Sequence, residues 1–108
     1  MNKANTLLDK IWARHRILER EDGQTLLYVD RHYLHDGSAP AFEMLRQRGL
    51  APRVPGRAFA VPDHYVPTNS RDIATMLDPE KRHMAEALSR GAAKSGIAIF
   101  ELGDPRQG

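Results

Sequence analysis

DPEKRHMAEALSRGAAKSGIAIF (78–100) holds a complete helix and the strand that follows it. Asp78 can accept exposed amides at a helix start, and Pro79 suits the first helical position, where a missing N–H costs nothing. Met84, Ala87, Leu88 and Ala92 line one face, while Glu80, Lys81, Arg82, Glu86 and Arg90 fall on the others. Lys94 and Gly96 suit the last turn and the stop. Residues 97–100, Ile-Ala-Ile-Phe, then read as a strand. Helices alternating with strands define an α/β layered domain with a mainly parallel sheet.

Working back toward the N-terminus, four prolines (Pro52, Pro55, Pro62, Pro67) leave 57–61 as the only segment long enough for a strand, which stops at Pro62-Asp63-His64. Ser38 or Ala39 can cap a helix with Pro40 in its first turn, Ala41, Phe42 and Leu45 on its apolar face, and Gly49 past its end. Residues 30–37 read as a polar, histidine-rich connection. Before them, 25–29 is predicted to be a buried strand entered from a turn at Gly23. Residues 5–18 form a helix with Asn5 or Thr6 as N-cap and Leu7, Leu8, Ile11, Trp12 and His15 on one side. His15 is expected at a core edge and His83 in solvent.

With 108 residues the chain can build one core. Hydrophobic residues at 41% and charged residues at 28% make a globular composition, and sixteen Lys+Arg against fourteen Asp+Glu leave a net charge of +2, too little to imply nucleic acid. The absence of cysteine removes disulfides, a thiol nucleophile, zinc knuckles and any cluster held by the chain's own thiolates. No run reaches the length of a membrane helix, and 1–8 lack the apolar block of a signal peptide, so a cytoplasmic protein is expected.

In open α/β sheets ligands bind beyond the carboxyl ends of strands. The polar clusters 30–36 and Asp63-His64 stand there, where capping and turn roles explain them equally well. His32, His35, Asp36, Asp63 and His64 could in principle supply nitrogen and oxygen ligands to a hydrolytic metal, but the spacing has no second matching histidine pair and solvated loop histidines explain it as well.

Three segments carry a resemblance: Tyr28-Val29-Asp30-Arg31-His32, the string Val61-Pro62-Asp63-His64-Tyr65-Val66-Pro67-Thr68, and Ser70-Arg71-Asp72. Together with the opening 6–12 and the ending 104–108, they make the chain resemble the N-terminal part of the large subunits of the 3-isopropylmalate dehydratases, leucine-pathway isomerases of the aconitase superfamily. The Asp-His-x-Val-Pro-Thr string is the most specific piece.

The resemblance implies a three-layer α/β/α aconitase-type domain segment with a mainly parallel sheet, present as a single partial domain over 1–108. It also implies a hydro-lyase that removes and re-adds water on a hydroxylated di- or tricarboxylic acid, most directly 3-isopropylmalate/2-isopropylmalate. A four-iron (4Fe-4S) cluster acts in such enzymes as Lewis acid on the hydroxyl. His64 would protonate the leaving group and Asp63 would orient it, with Arg31, His35 and Ser38 toward the substrate. A glutamine that the family carries near the next helix start is missing from Gly37-Ser38-Ala39-Pro40-Ala41, leaving Ser38 as the polar side chain there. The cluster cysteines would come from the remainder of the large subunit and the base from a small swivelling subunit, so the chain is expected to be inactive alone. With about three helices to cover a parallel sheet, it is also expected to expose an apolar sheet face or edge and so to self-associate or need a partner. A non-catalytic binding or assembly module with the same fold is the rival reading, and a small metal-dependent hydrolase is a third.

Overall fold

A computed structural model describes residues 5–108. The chain divides into two compact units, 1–30 and 31–108.

In the first unit Thr6 caps helix α1 (Leu7–His15), its hydroxyl accepting the Asp9 amide at 3.1 Å while the Asp9 carboxylate accepts the Thr6 amide at 2.8 Å. The helix stops three residues short of the predicted end, because the chain turns extended at Arg16 and enters β1 (Arg16–Glu19). This strand pairs antiparallel with β2 (Thr25–Leu27) around a turn in which Gly23 takes a φ of 83°. The predicted buried strand at 25–29 is therefore corrected: its strand is shorter and belongs to an exposed hairpin, with Leu26 55% accessible. Two consecutive leucines look like a parallel core strand, yet the antiparallel partner at 16–19 claims them first. His15 ties helix to hairpin end, its Nδ1 2.7 Å from the Ile11 carbonyl and its Nε2 3.3 Å from Asp30.

The second unit contains the parallel sheet: β3 (His32–Leu34), β4 (Ala58–Ala60) and β5 (Ala98–Ile99), in that order. Between these strands run α2 (Ala39–Gln47) and α3 (Pro79–Ser95). The expectation of an α/β domain with a parallel sheet holds. The reading of 30–37 as a connection does not, since β3 lies inside it. An edge strand has one neighbour and tolerates polar, exposed residues such as His32 and Tyr33, which hid it.

Asp78 caps α3 by accepting the amides of Glu80 and Lys81, and left-handed Gly96 ends it, the Ile97 amide returning to the Ala92 carbonyl at 2.9 Å. The core is formed by Ala58, Ala60, Leu88, Ala92 and Ile97, with Leu34, Phe42 and Ile99 against it. On α2 the buried residue is Ala39, and Ala41, expected on the apolar face, is exposed. Small residues on β4 let α3 approach the sheet closely. The other side of β4 carries Phe59, stacked between Tyr33 at 5.9 Å and Phe100 at 6.2 Å.

Phe42 lies flat on α3 because residue 91 has no side chain: a Cβ there would come within 2.5 Å of the ring. Gly91→Ala should cost about 1–3 kcal/mol by overpacking, and Leu88→Ala, which empties the centre of the core, about 2–5 kcal/mol. Urea unfolding of both variants checks this packing, and a neutral Gly91→Ala would contradict the seating of Phe42.

Candidate functional site

Parallel strands send their following loops out at the same sheet end. After β3 the chain runs through His35, Asp36, Gly37 and Ser38, and after the adjacent β4 through Val61 to Tyr65. The ladder extends one step beyond the strands, with the Val61 amide donating to the Leu34 carbonyl at 2.9 Å. The two loops are thereby brought into register from their first residues.

Asp36 joins them. Its side chain is fully buried, and its two carboxylate oxygens accept the backbone amides of His64 at 3.1 Å and Tyr65 at 2.7 Å. A buried carboxylate needs such donors to offset desolvation. The turn is also tied from the far end of the chain: Gln107 donates to the carbonyl of buried Pro62 at 2.9 Å and accepts from Arg71 at 2.6 Å. Pro62 adds a fixed φ just before the Asp63-His64 pair.

His64 Nδ1 lies 2.6 Å from Asp63 Oδ1, which places the Nδ1 proton in that bond and leaves Nε2 as the atom that exchanges a proton. The hydrogen bond to Asp63 holds the imidazole above its ordinary pKa of 6.5, helped by the charges of Asp63 and Asp36 and opposed by desolvation. The His64 ring stacks face to face on His35, centroids 3.8 Å apart and planes 17° from parallel. His35 accepts the Gly37 amide through Nδ1 at 3.0 Å, and Ser38 Oγ accepts the His35 amide at 3.3 Å. Beside His64 opens a cleft of about 640 Å³ with Val66, Pro67, Met76 and Leu77 as its apolar wall and Lys81 as its cation.

Of the residues singled out from sequence, Asp63, His64, His35 and Ser38 meet around this turn. Arg31 and His32 do not join them: Arg31 precedes β3 at its amino end, and exposed His32 opens the strand. Ser38 spends its oxygen on the His35 amide instead of capping α2. Asp36, weighed from sequence as a turn residue or a metal ligand, proves to be the buried centre of the cluster. Its one sequence signal is an acid placed directly before a glycine at a strand's end.

His35, Asp36, Asp63 and His64 offer donor atoms within 4.8 Å of one another. Both Asp36 oxygens and Asp63 Oδ1 are already engaged. The cluster coheres through its own hydrogen bonds, which account for it without an ion.

A family model described as the aconitase family (aconitate hydratase) matches residues 9–108. No solved structure matches the chain. Members of this hydro-lyase family usually hold a 4Fe-4S cluster, and this chain, having no cysteine, offers no thiolate to ligate one. A match over nearly the whole length, on an α/β unit whose strand ends gather the Asp63-His64 pair, establishes that the chain belongs to the aconitase family.

Proposed function

We propose that the chain is the N-terminal portion of a hydro-lyase acting on a hydroxylated di- or tricarboxylic acid, with 3-isopropylmalate/2-isopropylmalate as the substrate pair of leucine biosynthesis. His64 is its acid. The observation that carries this reading is the 2.6 Å bond from His64 to Asp63 at the mouth of a cleft. Hydroxide is a poor leaving group at neutral pH, and a proton delivered as the C–O bond breaks lets it depart as water. The electron pair of the cleaved C–H bond becomes the new double bond, and the released proton goes to a base on another segment. Asp63 stabilises the imidazolium before transfer, and the stack on His35 limits how far the ring swings.

The apolar wall of Val66, Pro67, Met76 and Leu77 favours a substrate with an apolar branch, and Lys81, ion-paired with Asp78 at 3.8 Å, stands in the same cleft. The missing cluster ligands and the base are assigned to the remainder of the large subunit and to a small swivelling subunit, in a cytoplasmic complex. The rival reading, a binding or assembly module, is favoured by one observation: Leu7, Leu8, Ile11 and Trp12 of α1 are all exposed.

Because the folded pKa of His64 is raised, the Asp63-His64 pair contributes its full stability below about pH 6.5. That contribution is lost as pH rises through the raised midpoint. NMR titration of the imidazole should place the midpoint above 6.5, and Asp63→Asn should bring it back down toward 6.5. Turnover should decline on the same alkaline limb as the acid form disappears. In an enzyme reconstituted from this chain, the remaining large-subunit sequence and the small subunit, His64→Ala should reduce turnover by about 10²-fold or more, while the thermal melt, losing only an exposed ion pair, moves little. Near-normal turnover would remove His64 as the acid and leave the assembly reading.

A further inference from the structure

We propose that Asp36 is a positioning residue for His64, working as a unit with Gly37. The Asp36 carboxylate fixes the backbone that carries the imidazole, and Gly37 makes room for the His35 ring on which that imidazole rests. Its consequence for turnover rests on His64 being the acid, while the geometric claim stands on the loop itself.

Three observations converge. First, Asp36 is fully buried and both its side-chain hydrogen bonds end on consecutive backbone amides, those of His64 and Tyr65, 28 and 29 residues away. A carboxylate fully buried and spent on one turn of backbone, 3.6 Å from the His35 Nδ1, has no open face for substrate. It determines where the Cα of His64 stands. Second, a Cβ on residue 37 would come within 2.5 Å of His35 Cε1 and 3.0 Å of its Nδ1. Only glycine lets that ring fold back over the loop and accept the Gly37 amide. Third, the ring so placed is the one that His64 stacks on, 3.8 Å away.

Backbone, ring face and Nδ1 of His64 are thus each held by a different partner: Asp36, His35 and Asp63. An imidazole held in this way keeps its exchanging nitrogen in one place, as proton transfer over hydrogen-bond distance requires. His35, expected to face substrate, is on this account a platform.

The test uses the full-length chain with ¹⁵N-labelled histidine and long-range ¹H–¹⁵N spectra, the His64 signal being assigned by its loss in His64→Gln. The titratable groups facing His64 are Asp63, Asp36 and His35, with Tyr65 and the Lys81–Asp78 ion pair lining the same cleft. Asp36→Asn removes one amide acceptor and the charge. It should speed exchange of the His64 and Tyr65 amides by about tenfold or more, lower the His64 titration midpoint, and mix its tautomers. Gly37→Ala keeps the carboxylate and should abolish the ring-current shift between His35 and His64. A folded Asp36→Asn chain with unchanged exchange, midpoint and tautomer would overturn the proposal, as would a Gly37→Ala chain with the stack intact. Should Asp36→Asn fail to fold, the wild-type chain decides: His64 and Tyr65 amides exchanging at open-coil rates would overturn it.

In the reconstituted enzyme Asp36→Asn should lower kcat and leave KM nearly unchanged. If His64→Ala proves active there, the catalytic reading falls, while the ring and amide measurements still decide the positioning role.

Discussion

One buried carboxylate connects the loop after β3 to the loop after β4. Asp36 gives up bulk water entirely, and the amides of His64 and Tyr65 replace it. The desolvation cost of such a group is several kcal/mol unless its donors are well placed. The loop after β4 therefore has to meet the loop after β3 in one arrangement. The parallel pairing of β3 with β4 brings the loops close, and the Val61 amide on the Leu34 carbonyl sets their register.

The helices serve that geometry indirectly. Leu88 and Ala92 of α3 pack with Ala58 and Ala60 of β4 in one core cluster. From the other side, Gln107 holds Pro62 and Arg71 together, so the segment carrying Asp63 and His64 is tied at both ends of its turn. The Asp63-His64 pair then stands on a short stretch of backbone held by residues outside it. His64 adds a carboxylate on one edge and an imidazole on one face, which leaves Nε2 for exchange.

Parts of this arrangement were legible before any coordinates. Asp78-Pro79 and Gly96 mark both ends of α3 because capping and left-handed stops are local chemistry. The strand at 58–60 is visible between its prolines for the same reason, and so is the placement of Asp63-His64 just beyond it. What escaped was non-local. β3 is three residues long, on a sheet edge, and opens with a histidine, so neither length nor periodicity reveals it. The leucines at 26 and 27 mimic a core strand until their antiparallel partner at 16–19 is known. Asp36 acts over 28 residues of sequence, and a polar side chain at a strand's end reads the same whether it faces water or two buried amides.

The most direct measurement is a hydrogen-bond-detected NMR correlation in the full-length chain, from the backbone nitrogens of His64 and Tyr65 to the carboxylate carbon of Asp36. A through-bond signal from Tyr65, whose contact is the shorter at 2.7 Å, with a weaker one from His64, is the expected result. Absence of both, in a chain whose amides are otherwise sharp and protected, would contradict the account that Asp36 builds the site.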